Sequence, residues 1–199
     1  APYAPWADTD GAKWGDEENR ADFATAKEWA DTDPRADGLA FIQLESDPFG
    51  FVDGDDVRDP ETGAVHPAFI AILEHLGATY ADVSTSGSGS HAYYYAPDGL
   101  PIEGKEQATF EIDTEPWGAN DDPPTIEIYA NKHVNITTGE HVRGTPLEVR
   151  EWNTDTLRAI LEANGYTDKE PISHDTDKDR ADLEAYDPDV TGSEETTTE

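Results

Sequence analysis

The amino-acid sequence contains no cysteine. Disulfide bonds, thiolate zinc sites and cysteine nucleophiles are therefore excluded. It also lacks any apolar stretch close to the roughly 18 residues that a membrane-spanning helix needs. No signal peptide opens the chain. We therefore expect a soluble protein of the cytoplasm that has no membrane partner.

Positive charge is also scarce, because 13 Lys and Arg stand against 45 Asp and Glu, for a formal net charge of -32. In ordinary salt such a charge opposes compaction and repels nucleic acid. Near 1 M salt the Debye length falls to about 3 Å, so surface carboxylates no longer repel one another at range. This favours a salt-rich cytoplasm. A secreted calcium-binding protein is the alternative, since calcium sites also collect carboxylates.

The aromatic residues argue against a disordered acidic chain, because five Trp, eight Tyr and six Phe are spread between apolar runs. The length suits one domain with tails. We expect an irregular N-terminal arm over 1–20, a compact domain over 21–168 and an acidic tail or linker over 169–199. The chain begins without Met and ends in a linker-like polar stretch, which indicates a domain cut from a longer protein.

Apolar spacing predicts three helices, one from Asp22 to the stop at Asp33-Pro34, one over 67–76 and one from Asn153 or Thr154. It predicts strands over 38–44, 49–52, 78–83, 91–95, 125–129 and 134–137, with a weaker one within 104–111. We expect the first two strands to lie side by side and the last two to pair across the turn at Lys132 and His133. The class is therefore α+β with a mixed or antiparallel sheet.

The first chemical motif is the acidic end of a strand, where alternation puts Asp53 and Asp55 on one face. Two carboxylates so placed can chelate hard divalent ions. The same spacing recurs at 31–33 and 175–177, so a solvated acidic surface is the alternative. An EF-hand is excluded, because Arg58 stands where that loop needs glycine.

The second motif is the Ser- and Gly-rich segment 84–91, which contains Ser86, Ser88 and His91. Its glycines let backbone amides approach an anion, while the hydroxyls and the imidazole offer further donors, as triphosphate binding requires. A flexible hairpin tip followed by a chance histidine is the alternative. A Walker loop is excluded because no Lys follows the glycines.

The third motif is Glu127 between Ile126 and Ile128, where the acid points opposite to its apolar neighbours. Glu127 could complete a metal site, or it could be a lone surface Glu on an amphipathic edge strand. Lys132 and His133 follow closely. They could contact phosphate or simply form a surface turn.

The three motifs in this order resemble those of the archaeo-eukaryotic primase superfamily, particularly the primase-polymerase domains of viral and plasmid replication proteins. That pattern is acid-x-acid, then small-x-His, then hydrophobic-acid, and the resemblance covers roughly residues 2–165. Two departures are Gly54, where a larger apolar residue is common, and Lys132-His133, where an Arg and an aromatic are often found.

The resemblance implies a primase-like catalytic core, with an RRM-like half and an αβ N-terminal half. It implies that two Mg²⁺ or Mn²⁺ ions are held by Asp53, Asp55 and Glu127. It implies that the nucleotide is bound by Ser86, Ser88, His91, Lys132 and His133.

The implied function is template-directed DNA primase and polymerase activity in the replication of a halophilic virus, plasmid or archaeon. The implied partners are a single-stranded DNA template, NTPs or dNTPs, and a helicase domain C-terminal to this segment. The alternatives are a metal-dependent nuclease or nucleotide hydrolase, and an inactive nucleic-acid-binding replication module. With so little positive charge, we expect template bases to stack on exposed aromatics among Tyr93, Tyr94, Tyr95 and Trp117.

Overall fold

The computed structural model describes residues 14–36 and 38–168. Of the expected N-terminal arm, residues 1–13 lie outside this part, and the expected acidic tail over 169–199 lies wholly outside it. The described end of the arm contains a short 3-10 helix, Glu17–Asn19. None of the helices in the described ranges is long and apolar enough to cross a bilayer.

The described residues form three α-helices, which confirm the predicted helices. They are α1 (Phe23–Thr32), α2 (Pro67–Gly77) and α3 (Thr154–Ala163). The side chain of Asp22 caps α1 by accepting the amide of Thr25 at 2.9 Å, and Asn153 caps α3 through the amide of Thr156 at 2.9 Å. Both are residues that favour the N-cap position, so these helix starts were readable from the sequence.

Eight strands are present in the described ranges. They are β1 (Leu39–Ile42), β2 (Phe49–Asp55), β3 (Ala81–Val83), β4 (Ser90–Tyr95), β5 (Gln107–Glu111), β6 (Thr125–Tyr129), β7 (Val134–Thr137) and β8 (Arg150–Glu151). Each predicted strand is found, and β2 runs further than predicted, so that it includes both acids of the first motif. The two-residue strand β8 was not predicted.

The strands form two sheets. The larger has the order β3-β4-β2-β6-β5 with antiparallel neighbours, and β8 pairs in parallel with the end of β4. The smaller is the antiparallel pair of β1 and β7. The domain is therefore α+β with a mixed sheet, as predicted.

Two of the predicted strand pairings are wrong. Strand β1 does not pair with β2, and β7 does not pair with β6, because β1 and β7 pair with each other. Both edges of β2 are already occupied by β4 and β6. Strand β1 instead packs on the face of the larger sheet, where the ring of Phe41 lies 5.7 Å from Phe49 and 5.9 Å from Phe51.

One face of the larger sheet packs on α2 and α3 to form the core. Strand alternation sends one set of side chains of β2, β4 and β6 to this face, and it leaves the rings of Phe49, Phe51 and Tyr93 on the other face with the polar residues. The large side chains buried in this core include Val52, Tyr94, Ile126, Ile128, Phe69, Leu73, Leu76, Leu157 and Leu161. Burying each contributes about 1.5–3 kcal/mol. The polar residues of the same strands therefore point to the opposite face.

Candidate functional site

A row of ionisable side chains crosses four strands on the face away from the helices. The strand register places Asp82 opposite His91, His91 opposite Asp53, and Asp53 opposite Glu127. Asp55 lies two residues beyond Asp53 on the same face, at the end of β2. The fold therefore brings together the acids and the histidine of the three sequence motifs.

Gly54, one of the two departures from the motif pattern, lies where β2 packs tightly on α2. A Cβ atom at this position would lie 2.8 Å from Cε2 of Phe69 and 2.8 Å from Cγ2 of Val57. A side chain larger than hydrogen would push β2 away from α2 and displace Asp53 and Asp55 on the other face. The glycine is thus explained by close packing and leaves the two acids in place.

The carboxylate of Asp53 has a strongly raised pKa. Its side chain is 17% exposed, and Oδ1 is buried without a hydrogen-bond partner. Burial, opposed by His91 and assisted by the charges of Asp55, Glu127 and Asp82, raises the pKa of Asp53 to about 6. The pKa of Asp55 is also raised, first by burial and then by Glu127.

Tyr129 lies between Glu127 and His133, the second of which was predicted to bind the nucleotide. The hydroxyl of Tyr129 donates to Oε2 of Glu127. The imidazole of His133 stacks on the ring of Tyr129, with 3.6 Å between centroids and 13° between planes. Burial lowers the pKa of His133, against the opposing charge of Glu127. His133 therefore lies beside the acids as an aromatic surface.

The carboxylates of Asp53, Asp55 and Glu127 are suitable ligands for a divalent ion, although their oxygens do not converge on a single point. Across 14–36 and 38–168, no three His, Asp or Glu side chains form a ready-made metal-binding group. One oxygen of Glu127 is engaged by Tyr129, so its side chain has to rotate before it can share an ion with Asp53 and Asp55. The unpartnered Oδ1 of Asp53 and the mutual repulsion of the acids are what a hard cation relieves.

The serine loop between β3 and β4 holds a chain of hydroxyls. Oγ of Ser84 lies 2.7 Å from Oγ of Ser86, which lies 3.0 Å from Oγ of Ser88. The amides of Gly87, Ser88 and Gly89 donate within the loop. In this conformation the three amides are occupied by acceptors of the loop itself, which are the carbonyl of Ser84 and the hydroxyls of Ser84 and Ser86. The hydroxyls remain as the polar groups that can contact a phosphate.

Arg58 is a functional candidate that sequence reasoning missed. Its backbone amide donates to the carbonyl of Ser88 at 2.7 Å, and its Nη1 donates to the carbonyl of Gly87 at 2.5 Å. It thereby ties the segment after the acidic motif to the serine loop. In the sequence its one conspicuous property was that it is a rare cation two residues after the acidic segment 53–56, which could have suggested a phosphate contact.

Lys132 lies in the turn between β6 and β7, as predicted. Its Nζ is 3.0 Å from Oε2 of Glu45, and both side chains are more than half exposed. The hydrogen bond to Glu45 raises the pKa of Lys132. Solvent and salt screen an exposed pair of this kind, so Lys132 is a weakly held cation at the rim of the site.

Asp82 is the second functional candidate that sequence reasoning missed. It is fully buried, Oδ2 accepts the amides of Thr138 at 3.0 Å and Gly139 at 3.1 Å, and Oδ1 accepts the hydroxyl of Tyr93 at 3.2 Å. Oδ1 also lies 3.5 Å from Nδ1 of His91. An acid between Ala81 and Val83 has the same pattern that singled out Glu127, and this pattern could have found it.

The four aromatics proposed for base stacking differ widely in exposure. Tyr94 is fully buried and its hydroxyl donates to the carbonyl of Leu73, so the prediction is wrong for this residue. Tyr93 is half-buried beneath β7. The half-buried Trp117 donates its indole N–H to Ala64. Tyr95 is 43% exposed and is the best placed of the four to stack on a base.

Neither the protein-family models nor the curated proteins that were compared match this sequence. The chemistry of the site follows from its own side chains. Three carboxylates at adjacent positions favour a divalent cation, while an imidazole, serine hydroxyls and Arg58 favour a phosphate. A substrate that carries both, such as a metal-bound nucleoside triphosphate, satisfies the two halves of the site together.

Proposed function

We propose that this chain is a template-directed nucleotidyltransferase of the primase-polymerase kind. The observation that carries the proposal is the single row formed by Asp53, His91 and Glu127, with Asp55 beside it. These residues come from three separate segments, each selected beforehand by its sequence motif.

The fold offers a second line of support. The order β3-β4-β2-β6 resembles the strand order of an RRM, with helices on one face of the sheet and the candidate site on the other. The small sheet of β1 and β7 covers part of the face that carries the acids. The exposed end of β2 at Asp55 is where a nucleic acid could approach them. The proposal therefore extends to a primase-like catalytic core with an RRM-like half.

The proposed reaction forms a phosphodiester bond. The 3′-oxygen of a growing strand bonds to the α-phosphorus of the incoming nucleotide, the α–β bridging bond breaks, pyrophosphate leaves, and the hydroxyl proton passes to water. Mg²⁺ or Mn²⁺ would supply activation of the 3′-hydroxyl and charge neutralisation at the phosphates. Asp53, Asp55 and Glu127 would hold these ions.

The residues of β4 and the serine loop would hold the triphosphate. Ser86 and Ser88 present hydroxyls that can turn from each other to a phosphate oxygen. His91 contributes an N–H at the base of the loop. Burial lowers its pKa, but the nearby carboxylates of Asp82 and Asp53 and the carbonyl of Ile136 outweigh burial and raise it. Arg58 fixes the loop by its two bonds to loop carbonyls.

Template binding has to work with little positive charge. Each phosphate contact by a cation releases counterions and so weakens as salt rises. We propose that stacking on Tyr95, together with the cations Arg58 and Lys132 and the metal ions, replaces a basic groove. The single-stranded template, a salt-rich cytoplasm and a helicase domain further along the chain belong to the same proposal.

The test is primer extension and de novo synthesis on single-stranded DNA in concentrated KCl with Mg²⁺ or Mn²⁺. We expect labelled NTP or dNTP to enter products that require the template and the metal. Glu127→Gln should reduce incorporation about a hundredfold or more, because it removes a charge that would hold the metal. Glu151→Gln on the exposed edge strand β8 is the control and should match the native chain.

The products separate the proposal from its rivals. Release of inorganic phosphate or shortened DNA without chain extension would identify a nucleotide hydrolase or a nuclease. DNA binding without turnover, unchanged in Glu127→Gln, would identify a binding module. Either result in a folded protein would overturn the polymerase proposal, and synthesis that starts without a primer would add primase activity to it.

A further inference from the structure

Asp82 is a fully buried carboxylate to which the proposed chemistry gives no direct part. Burying an ionised carboxylate is costly unless hydrogen bonds or an opposite charge compensate for it. Oδ2 accepts two backbone amides, from Thr138 and Gly139, in the turn that follows β7. The carboxylate is therefore fixed in orientation by the main chain of that turn.

The other oxygen of Asp82 faces His91. Oδ1 lies 3.5 Å from Nδ1 of the imidazole, slightly long for a hydrogen bond, and Nδ1 is buried. The opposite ring nitrogen, Nε2, lies 3.6 Å from Oδ1 of Asp53. One nitrogen of His91 thus faces a fixed acceptor inside the fold, and the other faces the candidate site.

An ionised carboxylate only accepts hydrogen bonds, so the nitrogen that faces Asp82 has to carry hydrogen. The position of this hydrogen determines which ring nitrogen can bind a ligand. With Nδ1–H directed at Asp82, Nε2 is the atom that can reach a ligand of the site. Because main-chain amides hold Asp82, the carboxylate cannot turn to follow the ring into another orientation.

We propose that Asp82 is the positioning residue of His91 and holds its Nε2 toward the triphosphate of the nucleotide. The identity of the ligand rests on the function proposed above, whereas the contact between Asp82 and His91 does not. At histidines that ligate a metal, a carboxylate behind the ring fixes its orientation, and losing it typically costs about 10- to 100-fold in metal affinity or activity. We expect a loss at the lower end of this range for a histidine that binds a phosphate.

The first measurement uses the native protein in concentrated KCl without added metal. Nitrogen-15 NMR of labelled histidine at fixed pH reports which ring nitrogens carry hydrogen. We expect Nδ1 of His91 to be protonated. A neutral ring with hydrogen on Nε2 and a bare Nδ1 would overturn the inference without any variant, even if Asp82→Asn fails to fold.

The second measurement compares the affinity of Mn²⁺-ATP and Mn²⁺-dATP for variants by calorimetry. We expect Asp82→Asn to bind about tenfold more weakly, and Asp82→Asn plus His91→Gln to bind no more weakly than His91→Gln alone. Tyr93→Phe is the control, because it removes another hydrogen bond of Asp82 and leaves the contact with His91. It should bind within about twofold of native, because it loses no contact to the ring.

The outcomes distinguish this inference from the proposed function. Suppose that native protein binds the Mn²⁺-nucleotide and that folded Asp82→Asn binds it equally well, or that the losses of affinity in Asp82→Asn and His91→Gln add in the double variant. Either result refutes the inference and leaves the proposed function standing. If native protein binds neither nucleotide while Nδ1 is protonated, the nucleotide proposal fails and so does the assigned ligand, while the Asp82–His91 contact stands.

Discussion

Replacing Asp53 and Asp55 together by asparagine is expected to reduce nucleotide incorporation by about a thousandfold or more and to stabilise the metal-free fold. The loss follows because the pair would hold the metal ions, and ions of this kind supply several kcal/mol of transition-state stabilisation. The gain in folding stability follows because these carboxylates repel one another and because Asp53 has a buried oxygen without a hydrogen-bond partner. Activity and stability should therefore change in opposite directions.

The expected gain has a definite pH dependence. The pKa of Asp53 is raised from 3.8 to about 6 in the folded chain, so ionising Asp53 costs more in the folded than in the unfolded state. The cost is absent below about pH 4, grows toward pH 6 and is complete above it, where it is on the order of 2–3 kcal/mol. Asparagine cannot ionise, so the variant should gain stability over the native chain only above about pH 4.

The measurement is denaturant unfolding in concentrated KCl with EDTA, from pH 4 to pH 8, followed by the same experiment with Mg²⁺. Mg²⁺ should stabilise the native chain and leave the variant unchanged, since a ligand stabilises only the state that binds it. Asp98→Asn plus Glu103→Gln is the matched control, as both residues are exposed in the segment after the far end of β4. A variant that is destabilised at every pH, or that still responds to Mg²⁺, would contradict the prediction.

Local features of the fold were predictable because short-range chemistry determines them. The caps Asp22 and Asn153 and the apolar spacing that follows them specify where two helices begin. Alternation specified which residues of β2 share a face. That was enough to predict that Asp53 and Asp55 lie together, because the period of a strand requires no knowledge of its neighbours.

Strand pairing was predicted less well, because neighbours in sequence are not always neighbours in a sheet. Strands β1 and β2 are joined by a short turn-like segment, which normally indicates a hairpin. Here β1 crosses over the face of β2, where Phe41 packs on Phe49 and Phe51. That outcome depends on β4 and β6 occupying both edges of β2, a long-range fact that no local pattern contains.

The same limit explains which site residues were found. Asp53 was visible at the acidic end of a strand, His91 in a Ser- and Gly-rich segment and Glu127 between two isoleucines. Their meeting at one register is a property of the fold. Asp82 has the same pattern of apolar neighbours as Glu127, but its proposed role depends on its contacts with His91 and with the turn after β7, which no local pattern shows. Tyr94 was misjudged because aromatics on β4 alternate between the two faces, and the sequence does not state which face is the core.

Lowering the KCl concentration from about 3 M to about 0.1 M is expected to unfold the protein. With a net charge of -32, the folded chain is held against self-repulsion by screening, and the Debye length grows from about 3 Å at 1 M to about 10 Å at 0.1 M. Circular dichroism and tryptophan fluorescence should lose their folded signals together. Refolding by millimolar Ca²⁺ in low salt would instead favour the calcium-binding alternative.

A charge variant separates screening from other effects of salt. Changing Glu28, Asp98, Glu103, Glu140 and Glu151, all exposed, to lysine adds two charges at each position and takes the net charge from -32 to -22. The KCl concentration at half-unfolding should fall. Exchanging Glu for Asp and Asp for Glu at the same five positions keeps the charge and should leave that midpoint unchanged. Equal midpoints for the lysine variant and the native chain would mean that salt stabilises this fold through its core and not through its surface.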